Sequence, residues 1–433
     1  MSNLLIAVIL LVLFLGLMFI GVPIAYAMIA TSIFTLKVMM PHVPLVIVPL
    51  RILNGVDNYI LLCIPFFMLS AEIMAMTSLF DRLINLIKAF IGHVSGGLSH
   101  VNIVVSMFFA GITGAATADT AAVGGILIPA MVKDGYTKSY STAVTVTSST
   151  IGVIIPPSNL MVVAALATGT SVVTLFLAGI IPGILSGLSQ LTVSLWYAHR
   201  KGFPSKEKMS FRGRMQKLAF GIPAIGMPII ILGGILGGIV TATEAANITV
   251  FYAIIVGVVI LPFKLSWQKV YHSIILVISR VSAIMFCVGA AMVFGWILAI
   301  AEVPDVVGAF IVSFTTNPVH IRALFIITYV IFGTFLDPLP AIMIFTPIFM
   351  PIATSVGEMS VVHFAVTMVF GFVIGLVTPP VGSCLYVGAS ISGLQINQFF
   401  MDEVPFIISI IFVLILLMYV PELVTFIPNF LLR

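Results

Sequence analysis

Two adjacent prolines interrupt apolar sequence twice in this chain, at Pro156-Pro157 within "IGVIIPPSNL" (151–160) and at Pro379-Pro380 within "IGLVTPPVGS" (374–383). Proline has no backbone N–H. In a helix, Pro156 and Pro157 therefore leave the carbonyls of Gly152 and Val153 without donors, and Pro379 and Pro380 do the same to Gly375 and Leu376. Freed carbonyl oxygens are ligands for a hard cation such as sodium. A packing kink explains a single break as well. Recurrence with the same glycine four residues ahead of the pair favours an ion site.

Thr113 in "GITGAA" and Thr378 in "LVTPPV" are placed to add hydroxyl oxygens to such sites. The competing reading is a hydroxyl bonded back to its own helix. Gly111, Gly114 and Gly333 allow close backbone approach to an ion or substrate, and equally close helix packing. Asp119 and Asp337 are carboxylates in apolar surroundings and so functional candidates by default. Asp337-Pro338 has the pattern of a helix N-cap followed by proline at the first helical position, and Asp119 precedes the small-residue run "TAAVGG". Both are read as caps at hairpin tips in preference to ion ligands. Thr241 and Glu244 have capping-box spacing, so Glu244 is read as structural. Arg280 is read as snorkelling. Cys63, Cys287 and Cys384 are far apart in apolar segments and serve packing. No nucleophile–base arrangement, phosphate loop or H-E-x-x-H motif is present, which argues against an enzyme and against ATP hydrolysis.

The elements that must hold these residues lie in lipid. Hydrophobic residues make up 61% of the 433 and charged residues 7%, against about 45–50% and about 25% in ordinary soluble domains. Continuous apolar runs such as 4–20, 175–198 and 406–420 predict an all-α polytopic protein, since barrel strands alternate and run about ten residues. Roughly eleven crossings plus two pairs of half-length segments are expected. The first apolar run has no Lys or Arg ahead of it and reads as a membrane helix, not a signal peptide. Residues 199–217 hold seven Lys or Arg and one acid. Between membrane helices this reads as a cytoplasmic loop and not as a nucleic-acid site.

That loop falls near the midpoint, and the halves resemble each other. Asp119 and Pro129 align with Asp337 and Pro347 at an offset of 218 residues, and the two Pro-Pro stretches align at 223. Two repeats are expected: 1–198, with a hairpin at about 98–131 and a broken helix at about 139–167, and 218–433, with a hairpin at about 322–353 and a broken helix at about 361–391. An odd number of crossings per repeat makes them inverted and places the N-terminus in the periplasm. Paired interruptions at corresponding positions point to a transport site.

Five stretches carry a resemblance across nearly the whole chain: "PFFMLSAEIM" (65–74), "FFAGITGAATADTAAVGGILIPAM" (108–131), "GVIIPPSNLM" (152–161), "GGILGGIVTATEAA" (233–246) and "GLVTPPVGSCLYVGA" (375–389). Together they resemble the DctM-type large membrane subunit of tripartite ATP-independent periplasmic (TRAP) transporters. Family members commonly have Pro-Thr-Glu-Ala-Ala and Ser-Gly-Ser where this chain has 242–246 "ATEAA" and 113–115 "TGA", which leaves fewer hydroxyls at the first hairpin.

The resemblance implies an elevator-type, sodium-coupled importer of small organic anions, C4-dicarboxylates or sugar acids, in a bacterial or archaeal cytoplasmic (inner) membrane. It implies a DctP-type periplasmic binding protein and a separate DctQ-type four-helix subunit as partners, with no ATPase. Carried onto this sequence, one sodium site would involve Thr113, Gly152, Ile155 and Pro157, and the other Gly333, Gly375, Thr378 and Val381. The substrate would lie near Gly114, Ala115 and Thr117 of one hairpin and Thr334, Asp337 and Pro338 of the other. Competing readings are a stand-alone sodium- or proton-coupled anion symporter, a membrane enzyme, for which no catalytic pair is visible, and an inert scaffold, which leaves the duplicated breaks unexplained.

Overall fold

The computed structural model describes residues 3–77, 79–205, 207–257 and 267–432, and every regular element among them is helical. Six of these helices are long and apolar enough to cross a membrane: Tyr59–Met76, Val172–Lys201, Phe211–Ile235, Val270–Ile300, Pro338–Ser355 and Ile396–Tyr419. That is fewer continuous spans than the eleven crossings expected. Several runs are divided between shorter helices: after Asn3–Phe19 the chain turns at Gly21, in the left-handed region at φ 88°, and restarts as Ile24–Phe34.

Two helical hairpins stand out. The first joins Gly97–Thr113 to Ala116–Lys133 through Gly114, whose φ of 60° suits glycine. The second joins Pro318–Gly333 to Pro338–Ser355. Each hairpin is followed by an interrupted helix. Lys138–Ser148 tightens into a 3₁₀ turn at Ser149–Val153, passes the prolines and restarts as Asn159–Thr168. Val361–Ile374 tightens at Gly375–Val377 and restarts as Ser383–Ser392. The tightening has a simple cause, since the shorter 3₁₀ bond partly replaces the i→i−4 bonds that proline removes. Both Pro-Pro peptide bonds are cis.

The packing is crossed. The inner arm Ala116–Lys133 lies against Ser383–Ser392, and the inner arm Pro338–Ser355 lies against Asn159–Thr168. Each hairpin thus closes on the restart that follows the other. The long helices Val172–Lys201 and Ile396–Tyr419 run antiparallel through this group, with Ser189 facing Ser409 at 3.4 Å and Lys201 Nζ 3.1 Å from Asp402 Oδ1. At that charged end, Ser139 donates to Asp402 at 2.6 Å and Ser95 to the carbonyl of Phe203 at 3.0 Å, which ties down the base of the first hairpin. At the other end Tyr419 donates to the carbonyl of Val319, and Arg322 to those of Gly357 and Glu358, all at 3.0 Å, which ties down the base of the second. The hairpins therefore enter from opposite ends. A second group, Cys63–Met76, Ala242–Ile255 and Trp267–Ile300, with Phe211–Leu236 on the amphipathic helix Leu79–Ile91, packs alongside.

The segment after Val172–Lys201 carries the concentrated positive charge, though Lys206 lies outside the described residues, and Ser205 within it is exposed. A single cysteine at Ser205 in an otherwise cysteine-free chain is expected to resist impermeant maleimide in intact cells and to react once the membrane is opened. Full labelling of intact cells would invert the assigned orientation.

Candidate functional site

The second break brings Gly333, Gly375, Thr378 and Val381 together. Gly375 is packed so tightly on Gly333 that a Cβ at 375 would collide with the carbonyl of Gly333, and a Cβ at 333 would lie 3.1 Å from the carbonyl oxygen of Phe372. The Val381 N–H donates to the carbonyl of Thr334 at 3.2 Å, tying the break to the hairpin tip. Thr378 Oγ1 donates to the carbonyl of Ile374 at 2.8 Å, and its N–H reaches the carbonyl of Gly375 at 3.2 Å. The hydroxyl is therefore bonded back to its own helix, which leaves its oxygen lone pairs as acceptors.

At the first break Gly152 is buried, and the Ile155 N–H donates to the carbonyl of Ile151 at 3.1 Å. The side chain of Thr113 lies outside the described residues. The sequence leaves four carbonyls without donors, and two of them find local ones. Ser158 Oγ donates to the carbonyl of Val153, and the Thr378 N–H to that of Gly375. Behind this break lies a glycine stripe that the sequence reading passed over. A Cβ on Gly179 would sit 2.6 Å from the carbonyl oxygen of Ile154, one on Gly183 would collide with Ile155, and one on Gly187 would sit 2.5 Å from Met107 Sδ. The four-residue spacing of these small residues was the available signal.

Between the hairpin tips is a cavity of about 850 Å³. The hairpins contribute Gly114, Ala115, Thr117, Asp337 and Pro338 to its lining. Thr334 is not among them, because its side chain turns back to the carbonyl of Ile331 at 2.8 Å. Two lining residues, Asn159 and Ser383, were not singled out from sequence. Each is the first residue of a helix restarting after a Pro-Pro break. Asn159 Oδ1 and Ser383 Oγ are buried without a hydrogen-bond partner among the described residues, and leaving such a group unpaired costs about 1–3 kcal/mol, so each calls for a ligand or water. Asn159 also lies against Gly114, its Cγ 3.1 Å from where a Cβ would stand.

The three caps differ. Thr241 and Glu244 form a capping box, with Glu244 Oε2 accepting the Thr241 N–H at 2.8 Å. Asp337 occupies the N-cap of its helix but accepts no bond from the first turn. Pro338 and Pro340 hold the first and third positions and have no N–H to give, so the carboxylate is left to the cavity. Asp119 is not a cap. Ala115 takes that place, and Asp119 sits a turn inside the helix, fully buried, its N–H donating to the carbonyl of Ala115 at 3.1 Å.

Arg280 does not snorkel free. Its Nη1 lies 3.6 Å from Glu72 Oε2, and both line a second cavity beside the first hairpin tip.

Residues 11–423 match the family described as tripartite ATP-independent periplasmic transporter, DctM component. The chain belongs to the DctM family. It is thus a multi-pass membrane protein and the large permease subunit of a TRAP transporter, not an enzyme. Similar relatives include the isethionate TRAP transporter permease protein DctMQ of Oleidesulfovibrio alaskensis, 36% identical over 86% of this chain and 59% of that longer one. The C4-dicarboxylate large permease DctM of Pseudomonas aeruginosa is 33% identical over 88% and 89% of the two chains. The sialic acid large permease SiaM of Vibrio cholerae is 30% identical over 96% of each. Among solved structures, the YdaH transporter of Alcanivorax borkumensis aligns over 86% of both chains with a TM-score of 0.62 at 12% identity, a likeness of fold alone.

Proposed function

We propose that this permease imports a small organic anion of the C4-dicarboxylate or sugar-acid class across a prokaryotic cytoplasmic membrane, driven by sodium through an elevator movement. The observation that carries the reading is the cavity between the hairpin tips, with the Ser383 hydroxyl, which can donate, buried without a partner among the described residues at a helix start in its wall. Polar atoms held ready at helix starts suit an anion, because the first turn of a helix presents unpaired N–H groups. The relatives named for C4-dicarboxylate and sialic acid support the class, and the one named for isethionate supports a small organic anion.

In this reading, residues 1–198 and 218–433 are inverted repeats. The hairpin bases at opposite ends of the antiparallel long helices support that arrangement. The hairpins and interrupted helices are the moving body, and the group built on Cys63–Met76 and Trp267–Ile300 is the stationary one. One sodium is held by Thr113, Gly152, Ile155 and Pro157, and the other by Gly333, Gly375, Thr378 and Val381, mostly through main-chain oxygens. A DctP-type binding protein delivers the anion, and a DctQ-type subunit completes the membrane unit, as the DctMQ relative suggests by its name.

Thr378→Val tests the sodium assignment. It deletes one ligand oxygen at nearly constant volume. The sodium concentration for half-maximal uptake is expected to rise several-fold with the maximal rate preserved, since a contact of about 1 kcal/mol is lost and about 1.4 kcal/mol is tenfold. Thr425→Val, in the C-terminal helix Glu422–Leu431, is the control. An unchanged sodium dependence in Thr378→Val removes this hydroxyl from the site.

A further inference from the structure

The second cavity, of about 530 Å³, lies beside the first hairpin tip and is lined by Glu72 and Arg280 together with Thr117 and Ala118. It shares Met68, Ala115 and Thr117 with the cavity between the tips. A third space of about 320 Å³ shares Glu72 with it and reaches Gln268 and His272 near the start of Trp267–Ile300. The three spaces adjoin through these shared lining residues, and Arg280 and Glu72 both line the one between the other two.

Both residues belong to helices that pack on one another, Cys63–Met76 and Trp267–Ile300, while Thr117 and Ala118 belong to the hairpin. Their contact at 3.6 Å is longer than the ~2.8 Å of a charge-assisted hydrogen bond, and it leaves most of the five guanidinium donors uncommitted. The two side chains are 47% and 26% exposed, so the pair is not sealed inside the packing of its two helices. A charged pair set this deep in apolar helices is costly to keep and is a functional candidate for that reason.

We propose that Arg280 and Glu72 form a carboxylate-exchange switch for the transported anion. An anion leaving the space between the hairpin tips takes the place of Glu72 on Arg280, and Glu72 reclaims the guanidinium as the anion moves on toward His272. Exchange keeps Arg280 paired throughout and avoids a lone desolvated cation. Competition from Glu72 also keeps the anion from being trapped at Arg280 once the moving body has released it, since a site it must leave has to bind it weakly. The inference rests on the organic-anion reading above.

The test uses the complete reconstituted system with fumarate and sialic acid as probes. Arg280→Gln is expected to raise KM at least tenfold, and Arg280→Lys to fall between it and the unmodified protein. Glu72→Gln moves KM the opposite way: it lowers KM and the maximal rate together, because the anion loses its competitor and leaves slowly. A pair that merely braces two helices predicts the same direction for both single variants and recovery in the double Arg280→Gln/Glu72→Gln; that pattern overturns the switch. Phenylglyoxal labelling of the purified permease, read by peptide mass spectrometry, supplies an arm that needs no transport. Arg280 should react faster in Glu72→Gln than in the unmodified chain, and a transported anion should protect it. Failure of the unmodified system to import either anion counts against the substrate class. An Arg280 that stays inert in Glu72→Gln overturns the switch whatever transport shows.

Discussion

Replacing Gly375 with Ala is expected to abolish sodium-driven uptake and to lower the melting temperature of the purified permease. The Cβ would enter the carbonyl of Gly333, and backbone cannot rotate aside as a flexible side chain can. Overpacking a well-filled interior costs about 1–3 kcal/mol, and a clash of main chain against main chain stands at the upper end of that range. The same contact holds the tip of the second hairpin against the second break, so damage falls on the proposed sodium site directly. Gly125→Ala is the matched control. A Cβ there meets nothing within 4 Å, and alanine in the helix Ala116–Lys133 should add about 0.5–1 kcal/mol of stability. Normal folding and uptake in Gly375→Ala would show that the two glycines need not touch.

Asn159→Leu is expected to cut uptake by roughly 5- to 150-fold, the effect of losing about 1–3 kcal/mol of contact between its amide N–H groups and a bound anion. Stability should stay level or rise. The amide oxygen is buried without a partner among the described residues, so an apolar group of similar volume removes a desolvation cost. Loss of activity with stability retained separates an anchoring role from a packing role. The measurement is initial uptake rate beside thermal unfolding of the same preparations. Equal loss of both would make Asn159 structural.

The interruptions were legible because proline acts locally: the bonds that Pro156, Pro157, Pro379 and Pro380 cannot make follow from sequence alone. The capping box of Thr241 and Glu244 was legible for the same reason, since both partners lie within one turn. Other features depend on neighbours distant in sequence. Gly179, Gly183 and Gly187 matter through contacts with Ile154, Ile155 and Met107. Asn159 and Ser383 matter because two restarts face one cavity. From sequence Asp119 reads as a cap, because the place where the helix starts, four residues earlier at Ala115, is a three-dimensional fact. Arg280 was read as snorkelling because its partner, Glu72, lies on another helix.

The central claim is that this permease moves an organic anion only with sodium and only when a binding protein presents it. Proteoliposomes holding this chain and a DctQ-type subunit, given radiolabelled fumarate or sialic acid under an inward sodium gradient, test it most directly. Saturable uptake is predicted for one of these anions when the cognate binding protein is present, with collapse to background when sodium is replaced by potassium or the binding protein is left out. Robust uptake by this chain alone, or uptake indifferent to sodium, would contradict the account and favour a stand-alone symporter.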